Sequence, residues 1–465
     1  MRQLLVGDVL WTAAQRTPGR IAATLDDRRA TFAELATATE VVCRALAQRG
    51  IGRGSRVVWQ GDTTIDAIPL AMALASLGAV FVPVNPRLSA DEAGPVLDLA
   101  DPDLLVDAEE LMRLLASRVS TGVDRPDVRE TDPHLILLTS GSTGRPKGVE
   151  LSHRATMLRT LLDSTPLPAG PVLCIGPQFH VSGWQGPTTA LQCSDEVVYV
   201  PRPDAEPILE AIDRRRVVRL YGIPAVWRRL LEADRSGYDV TSLRQADTGT
   251  SATTQELLRA IGDAFPSAST SIYYGSTEAG SACRLPPSDL HRKPGSVGPA
   301  ALGVEARLDD AGELLVRTPF LMNGYFRDPD ATAAAVVDGW YHTGDLAERD
   351  DEGYYSIVGR AKDIIRTGGE TVAPAEVDTV LQDHPSVADA AVAGVPDPDW
   401  GEIVTAFVVL RPGAALDLPQ LRSFCDGRLA AFKQPRRLVV VDEIPRTGAT
   451  RQVQRRLLVG SVVRA

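Results

Sequence analysis

Between Thr139 and Gly148 the chain reads TSGSTGRPKG, which gathers the hydroxyls of Thr139, Ser140, Ser142 and Thr143, the glycines Gly141 and Gly144, and the ammonium of Lys147. Backbone N–H groups freed by glycine, short O–H donors and one mobile cation are the equipment for wrapping a polyphosphate. The chain holds four lysines, Lys147, Lys293, Lys362 and Lys433, against 45 arginines. A solvated turn does not explain why one of those four sits inside the glycine cluster. No Gly-Lys-[Ser/Thr] follows Gly144 at Walker A spacing, so the loop is of another type.

A loop of this kind needs a strand to deliver it, and the apolar run Leu135 to Leu138 supplies one. Upstream, apolar Val57-Val58-Trp59, a helical stretch to Leu77, apolar Ala79 to Val82, a helix from Ser89 and apolar Leu104-Leu105-Val106 alternate. That alternation returns after Pro171 and predicts an α/β fold, a parallel sheet with helices on its faces. After Ile357 the texture becomes polar and glycine-bearing, GRAKDIIRTGGE. Shorter apolar runs at Val387 to Val395 and Ile403 to Leu410, a helix from Leu418 and a strand at Leu438 to Val441 follow. They form an α+β unit of roughly a hundred residues, the size of one small domain. The expected division is 1–361 and 362–465, with the boundary at Lys362.

With 465 residues, 44% hydrophobic and 23% charged, the chain is ordinary globular material. A net charge of −11, with no basic block longer than Arg214-Arg215-Arg216, argues against nucleic acid as a partner. Five scattered cysteines without a CxxC pair suggest neither a disulfide framework nor a zinc site, and fit a reducing cytoplasm. The start, MRQLLVGDVLWTAAQ, reads as an amphipathic helix rather than a leader. The uncharged run Ala67 to Val84 carries Pro69, Gly78 and Pro83 and reads as a buried helix feeding a buried strand, so no membrane insertion is expected.

The string Thr139–Gly148 resembles the [ST]SG[ST]TGxPKG signature of the adenylate-forming superfamily, which includes acyl-CoA synthetases, nonribosomal-peptide adenylation domains and luciferases. The resemblance implies a large N-terminal domain of parallel-rich sheets flanked by helices, and a small mobile α+β C-terminal domain. It implies ATP and Mg²⁺, with a carboxylate displacing pyrophosphate to give an acyl adenylate. YGSTEAG, from Tyr274 and Gly275 to Gly280, looks like the YGxTE motif, in which the tyrosine stacks on adenine, the threonine (Thr277) contacts phosphate and the glutamate (Glu278) holds Mg²⁺. A carboxylate beside a triphosphate needs such a cation to be tolerated. WYHTGDL is similar to the ribose motif, making Asp345 the acceptor of the ribose hydroxyls, with Arg360 as second contact and Lys362 as the hinge about which the small domain rotates.

By the same resemblance, Gly368 and Gly369 of GGE line the thiol's entry path, which makes coenzyme A the expected co-substrate. GPQFHVSGW places Phe179, His180 and Trp184 at the gate of the acyl pocket, and Gly249, Thr250 and Ser251 of DTGTS occupy the adenine-contacting turn. Plainer readings stand beside these: a lone tyrosine is more often core, an Asp after Gly is a turn former, His180 can be a satisfied structural histidine, and Trp184 can be plain core. Lys433 resembles a segment that packs at the domain junction, and Lys293 reads as surface.

The pattern breaks near the C-terminus. The family's proline-[Arg/Lys]-[Thr/Asn] turn is present at Pro445, Arg446 and Thr447, but the Gly-Lys that should follow is absent, and Arg451 or Gln452 stands in the lysine's place. Arginine is a bulkier planar fork and glutamine is uncharged. Loss of one such contact costs roughly 3 kcal/mol of transition-state stabilisation. The readings are therefore an ATP-dependent acid–thiol ligase for a small or medium carboxylic acid, using coenzyme A, or an adenylating enzyme with a different acceptor, either a carrier protein or nitrite activation for diazo formation. Outside enzymes, a nucleotide-binding protein without turnover is the alternative.

Overall fold

The apolar run at Val57 forms the strand Arg56–Trp59, and Val80–Pro83 and Leu104–Val106 pair with it in parallel on either side. Val57, Val58, Val80 and Val82 are all buried, the pattern of strands covered on both faces. The connecting helices are Ala67–Leu77, ended by Gly78 in the left-handed region, and Ala90–Ala100, started by a reciprocal Ser89–Glu92 capping box. Helix plus strand thus consume the Ala67 to Val84 run, and no helix among the described residues is long and apolar enough to cross a membrane. Pro133–Ser140 extends the sheet in parallel, Pro146–Ser152 returns antiparallel to it, and Gly324–Tyr325 pairs at the edge. This computed structural model describes residues 3–119, 126–140, 146–164, 168–251, 253–368, 370–447 and 452–463.

A second sheet has eight strands among the described residues. Its parallel centre runs through Val172–Cys174, Arg219–Tyr221, Gln245–Gly249 and Ile272–Ser276, with Gly280–Leu285 antiparallel at the edge. The N-terminal helix Asp8–Arg16 is amphipathic as expected, burying Val9, Leu10 and Ala13. An antiparallel sheet follows, in which Glu313–Arg317 and Tyr355–Arg360 flank Trp340–Arg349. Together these make a large N-terminal α/β domain.

The smaller C-terminal α+β domain is built on the hairpin Val387–Asp397 and Gly401–Leu410, with Ile365–Thr367 and Arg437–Val440 beside it. It has apolar clusters of its own, one around Val377, Leu381, Val404 and Leu421, another around Phe407, Ile444 and Leu458. Its helix Leu418–Cys425 starts on an Asp417–Gln420 capping box.

Candidate functional site

The hairpin of the phosphate loop sets Thr139 opposite Lys147, and the Thr139 hydroxyl donates to the Lys147 carbonyl at 3.3 Å. Of the predicted loop, Gly141, Ser142, Thr143 and Gly144 lie outside the described residues, and Ser140 ends the strand. The Lys147 ammonium stands over the ring of Tyr325, 4.3 Å from its centroid, a favourable cation–π distance. Tyr325 reaches this place because its two-residue strand pairs with Val149, two positions from Lys147. Its hydroxyl donates to Glu278 Oε1 at 3.0 Å. Lys147 and Glu278 thus meet one tyrosine on different parts of its surface, and the structure brings these two predicted residues together without an ion pair between them.

The Thr277–Glu278 backbone is clamped from below by Arg159, 3% exposed, on the helix His153–Ser164. Arg159 donates from Nε to Phe320 O at 3.1 Å, from Nη1 to Thr277 O at 2.9 Å and from Nη2 to Glu278 O at 2.8 Å. Burial lowers its pKa to about 10, so it stays cationic at neutral pH. Neither Tyr325 nor Arg159 is visible as a site residue in the sequence. One sits inside an unremarkable NGYF string and the other is one arginine among 45.

Asp345 is buried and holds two partners. The Tyr274 hydroxyl donates to Oδ2 at 2.7 Å and Arg360 Nε pairs with Oδ1 at 2.7 Å. The Arg360 contact follows from register, since Asp345 and Arg360 are directly opposed on neighbouring strands. Burial raises the Asp345 pKa and Arg360 works against that rise. Gly344, at φ +71°, donates its N–H to Glu313 Oε1 at 2.7 Å, which fixes the turn ahead of Asp345. Predicted residues far apart in the chain, Tyr274, Asp345 and Arg360, therefore form one contact set.

Thr250 adopts φ +72° without being glycine, a conformation that costs free energy, and its hydroxyl lies 3.2 Å from that of Tyr221. A Cβ on Gly249 would fall 2.2 Å from the Tyr273 carbonyl, so only glycine fits. Ser251 lines the same cleft. His180 caps the short helix Val181–Gly183, with Nδ1 3.2 Å from Ser182 Oγ, and burial pushes its pKa down to about 4. The imidazole is neutral at physiological pH. Trp184 is core: it is buried, meets Phe81 edge-on at 4.9 Å and gives its N–H to the Gln178 carbonyl.

A family model described as AMP-binding enzyme matches residues 10–326, and one described as AMP-binding enzyme C-terminal domain matches 376–451. The chain belongs to the AMP-binding enzyme family. It is 34% identical to an indoleacetate–CoA ligase of Aromatoleum aromaticum, over 92% of this chain and 93% of that one. It is 33% identical to the fatty acid–[acyl-carrier-protein] ligase ScoC of Streptomyces coeruleorubidus, over 96% and 94%. The fold is similar to ATP-bound MatB from Rhodopseudomonas palustris, with a TM-score of 0.90, 28% identity and 99% of both chains covered. Against apo MatB the TM-score is 0.79 over the same coverage.

In this AMP-binding enzyme the donor set suits a hard divalent cation. Among the described residues the Glu278 carboxylate has the Tyr325 hydroxyl as its hydrogen-bond partner and no paired cation, which leaves oxygen lone pairs for Mg²⁺, an ion that takes one or two carboxylates and keeps its other positions for water and phosphate.

Beyond Arg360, Lys362 lies in the one-turn helix Ala361–Asp363, where burial lowers its pKa. Arg455 of the C-terminal helix ties this segment down, pairing with Asp363 at 3.6 Å and with the buried Asp378, and donating to Val392 O at 2.8 Å. Gly368, at φ +58°, packs so closely on Trp400 that a Cβ would fall 2.6 Å from its ring. Trp400 is 41% exposed, with the Arg436 guanidinium 3.6 Å from its ring centroid. Neither residue stands out in the sequence. Gly369 and Arg451 lie outside the described residues. The turn that should carry the lysine closes between Thr447 and Gln452, with Thr447 N–H donating to Gln452 O at 2.8 Å and Gln452 N–H to Thr447 Oγ1 at 3.0 Å. Arg446 grips Asp389.

The remaining lysines have structural partners. Lys433 binds both oxygens of Glu376 at 2.7 Å. Lys293 lies at the surface, as expected, with its ammonium paired to Asp350 at 2.6 Å and Glu352 at 2.5 Å.

Proposed function

We propose that this enzyme activates a small or medium carboxylic acid with ATP and Mg²⁺ and passes the acyl group to coenzyme A. The observation that carries this reading is the convergence, along one cleft of 3480 Å³, of Lys147 and Glu278 on Tyr325 and of Tyr274 and Arg360 on Asp345. A cation for phosphate, a carboxylate for metal and a buried carboxylate for the ribose hydroxyls are the three contacts an acyl-transfer ATP site requires. In the first step a carboxylate oxygen bonds to the α-phosphorus and the bond to the β-phosphate oxygen breaks, releasing pyrophosphate. In the second, the thiol sulfur bonds to the acyl carbon, AMP leaves with the electron pair of the broken C–O bond, and the thiol proton passes to solvent. Bound Mg²⁺ would neutralise phosphate charge, with Glu278 holding it. Lys147 steadies the leaving phosphates from its place over Tyr325, and Asp345 orients the ribose.

With the domain boundary at Lys362, and 1–361 and 362–465 as the two parts, this segment acts as the hinge, and the better match to ATP-bound than to apo MatB supports an adenylation-like pose. Arg451, or Gln452 beside it, takes the place of the absent lysine in the sequence. The scattered cysteines suit a reducing cytoplasm.

Coenzyme A is the favoured acceptor because the exposed Trp400, stacked with the half-buried Arg436 guanidinium, sits against Gly368, where an aromatic face and a guanidinium suit a nucleotide with phosphates. Trp400→Ala should raise KM for coenzyme A roughly tenfold, the worth of about 1.4 kcal/mol of stacking, while pyrophosphate release stays at the wild-type rate. Equal effects on both steps would remove the assignment. A carrier protein is the second reading, favoured by the likeness to ScoC.

Pyrophosphate release with a panel of acids, followed by thioester detection with coenzyme A or a phosphopantetheine-bearing carrier, tests the proposal. Release with nitrite alone would point to the diazo-forming alternative. ATP binding without release for any substrate would leave a non-catalytic nucleotide binder. Lys147→Ala should lower kcat/KM for ATP by about 100-fold; unchanged steady-state kinetics would sink the phosphate-loop assignment.

A further inference from the structure

The register of the eight-stranded sheet assembles a polar surface out of strands that look unremarkable singly. Tyr221 is paired with Asp247, Gly249 with Tyr273, and Tyr273 with Arg284. Directly paired residues share a face, as do residues two apart on one strand. Tyr221, Asp247, Gly249, Ser271, Tyr273 and Arg284 therefore lie on one side of four adjacent strands. The other side presents Leu220, Ala246, Ile272 and Leu285 to the apolar core.

Strands buried within a parallel sheet ordinarily present apolar residues on both faces, and burying polar groups is costly unless each finds a partner. Here the polar side faces the cleft: Tyr221, Asp247 and Tyr273 are in its walls, together with Asp163 and Gln185. Tyr274, next along the strand, points the opposite way to Asp345, so Tyr273 is turned away from the ribose contacts. Internal pairing of this surface is incomplete. Arg284 donates to Ser271 Oγ at 3.1 Å, but its buried Nε has no partner among the described residues. Asp247 accepts from the Ser271 N–H at 2.8 Å and from the Gln245 side chain, and Asp163 accepts from the Gln185 amide and the Ser281 hydroxyl. A carboxylate has room for more donors than these.

The aromatic part of the surface is equally specific. Tyr221 and Tyr273 meet edge to face with centroids 6.3 Å apart, and the Arg284 guanidinium lies 5.5 Å from the Tyr273 centroid. Gly249 makes this possible, because a Cβ there would stand 2.6 Å from the Tyr221 hydroxyl.

We propose that the acid activated here is an aromatic acid whose ring carries a hydrogen-bond donor, a hydroxyl, an amine or a ring N–H, remote from its carboxylate. The inference rests on the acid-activation reading above. Ring faces and edges complement the two tyrosines, and the donor is accepted by Asp247 or Asp163. Burial pushes the Asp247 carboxyl up to about 7, and a donor from the ligand restores stabilisation to its ionised form. An alkyl chain would strip water from these carboxyls and return nothing, the situation in which a polar site rejects an apolar analogue most strongly.

The test is pyrophosphate release by the full chain with Mg²⁺ and ATP, comparing benzoate with 4-hydroxybenzoate and 4-aminobenzoate, phenylacetate with 4-hydroxyphenylacetate and indole-3-acetate, and hexanoate with octanoate. In the best pair the donor-bearing acid should exceed its unsubstituted counterpart at least roughly tenfold in kcat/KM, with the alkanoates lowest. Asp247→Ala should bring that ratio within about threefold. Because Asp247 also holds the Ser271 N–H, Tyr221→Leu, at a side chain 38% exposed, is the second variant, expected to lower kcat/KM for aromatic acids relative to alkanoates. An alkanoate as best substrate, or donor-free rings that match their donor-bearing partners, overturns this inference and leaves acid activation standing. No release with any acid overturns both.

Discussion

Glu278→Gln should slow pyrophosphate release by about 10²–10³-fold, the scale seen when one preorganised charge contact to a reacting centre is lost. The amide is isosteric and still accepts from the Tyr325 hydroxyl, so the local fold survives, but it carries no charge for a divalent cation. The loss should appear as weaker binding of ATP with Mg²⁺ in calorimetry and a higher Mg²⁺ concentration for half-maximal release, with the melting temperature held. Tyr325→Phe separates the two functions of the tyrosine: it keeps the ring under Lys147 and removes the hydroxyl from Glu278. A Glu278→Gln enzyme with wild-type Mg²⁺ dependence would eliminate the metal assignment.

Arg159→Leu should be the most damaging substitution for stability. The carbonyls of Phe320 and Thr277 lose their donors, and that of Glu278 keeps only the Met322 N–H. Each unsatisfied acceptor costs about 1–3 kcal/mol, partly offset because a buried cation is no longer desolvated. A net loss of about 2–3 kcal/mol is expected. Arg159→Lys keeps the charge but replaces the planar fork by a single ammonium, so it should melt between wild type and Arg159→Leu. Both variants should also release pyrophosphate slowly, since the clamped backbone carries Thr277 and Glu278. A Leu variant that melts and turns over like wild type would show that the clamp holds nothing.

Much of the fold was legible because its signals are local. The strand–helix alternation from Arg56 to Val106 appears at the expected places, and the Ala67 to Val84 run divides at Gly78, where glycine alone takes the left-handed conformation cheaply. The texture change after Ile357 leads into a sheet with its own apolar clusters. For Lys293 the neighbouring Pro294 and Gly295 mark a surface position, but its partners Asp350 and Glu352 lie on a distant turn and are visible only in the fold.

What the sequence by itself determined is the inventory of chemistry: a glycine and hydroxyl loop with one lysine, a tyrosine followed by Thr277 and Glu278, and an aspartate after glycine. These strings are readable because each works largely through backbone geometry and adjacent side chains. The tertiary structure alone decided which groups act together. Tyr325 reaches Glu278 across 47 residues and Arg159 reaches the same glutamate's carbonyl across 119. The polar surface of Tyr221, Asp247, Tyr273 and Arg284 exists only through strand register, and a slip of one residue would turn each side chain to the other face.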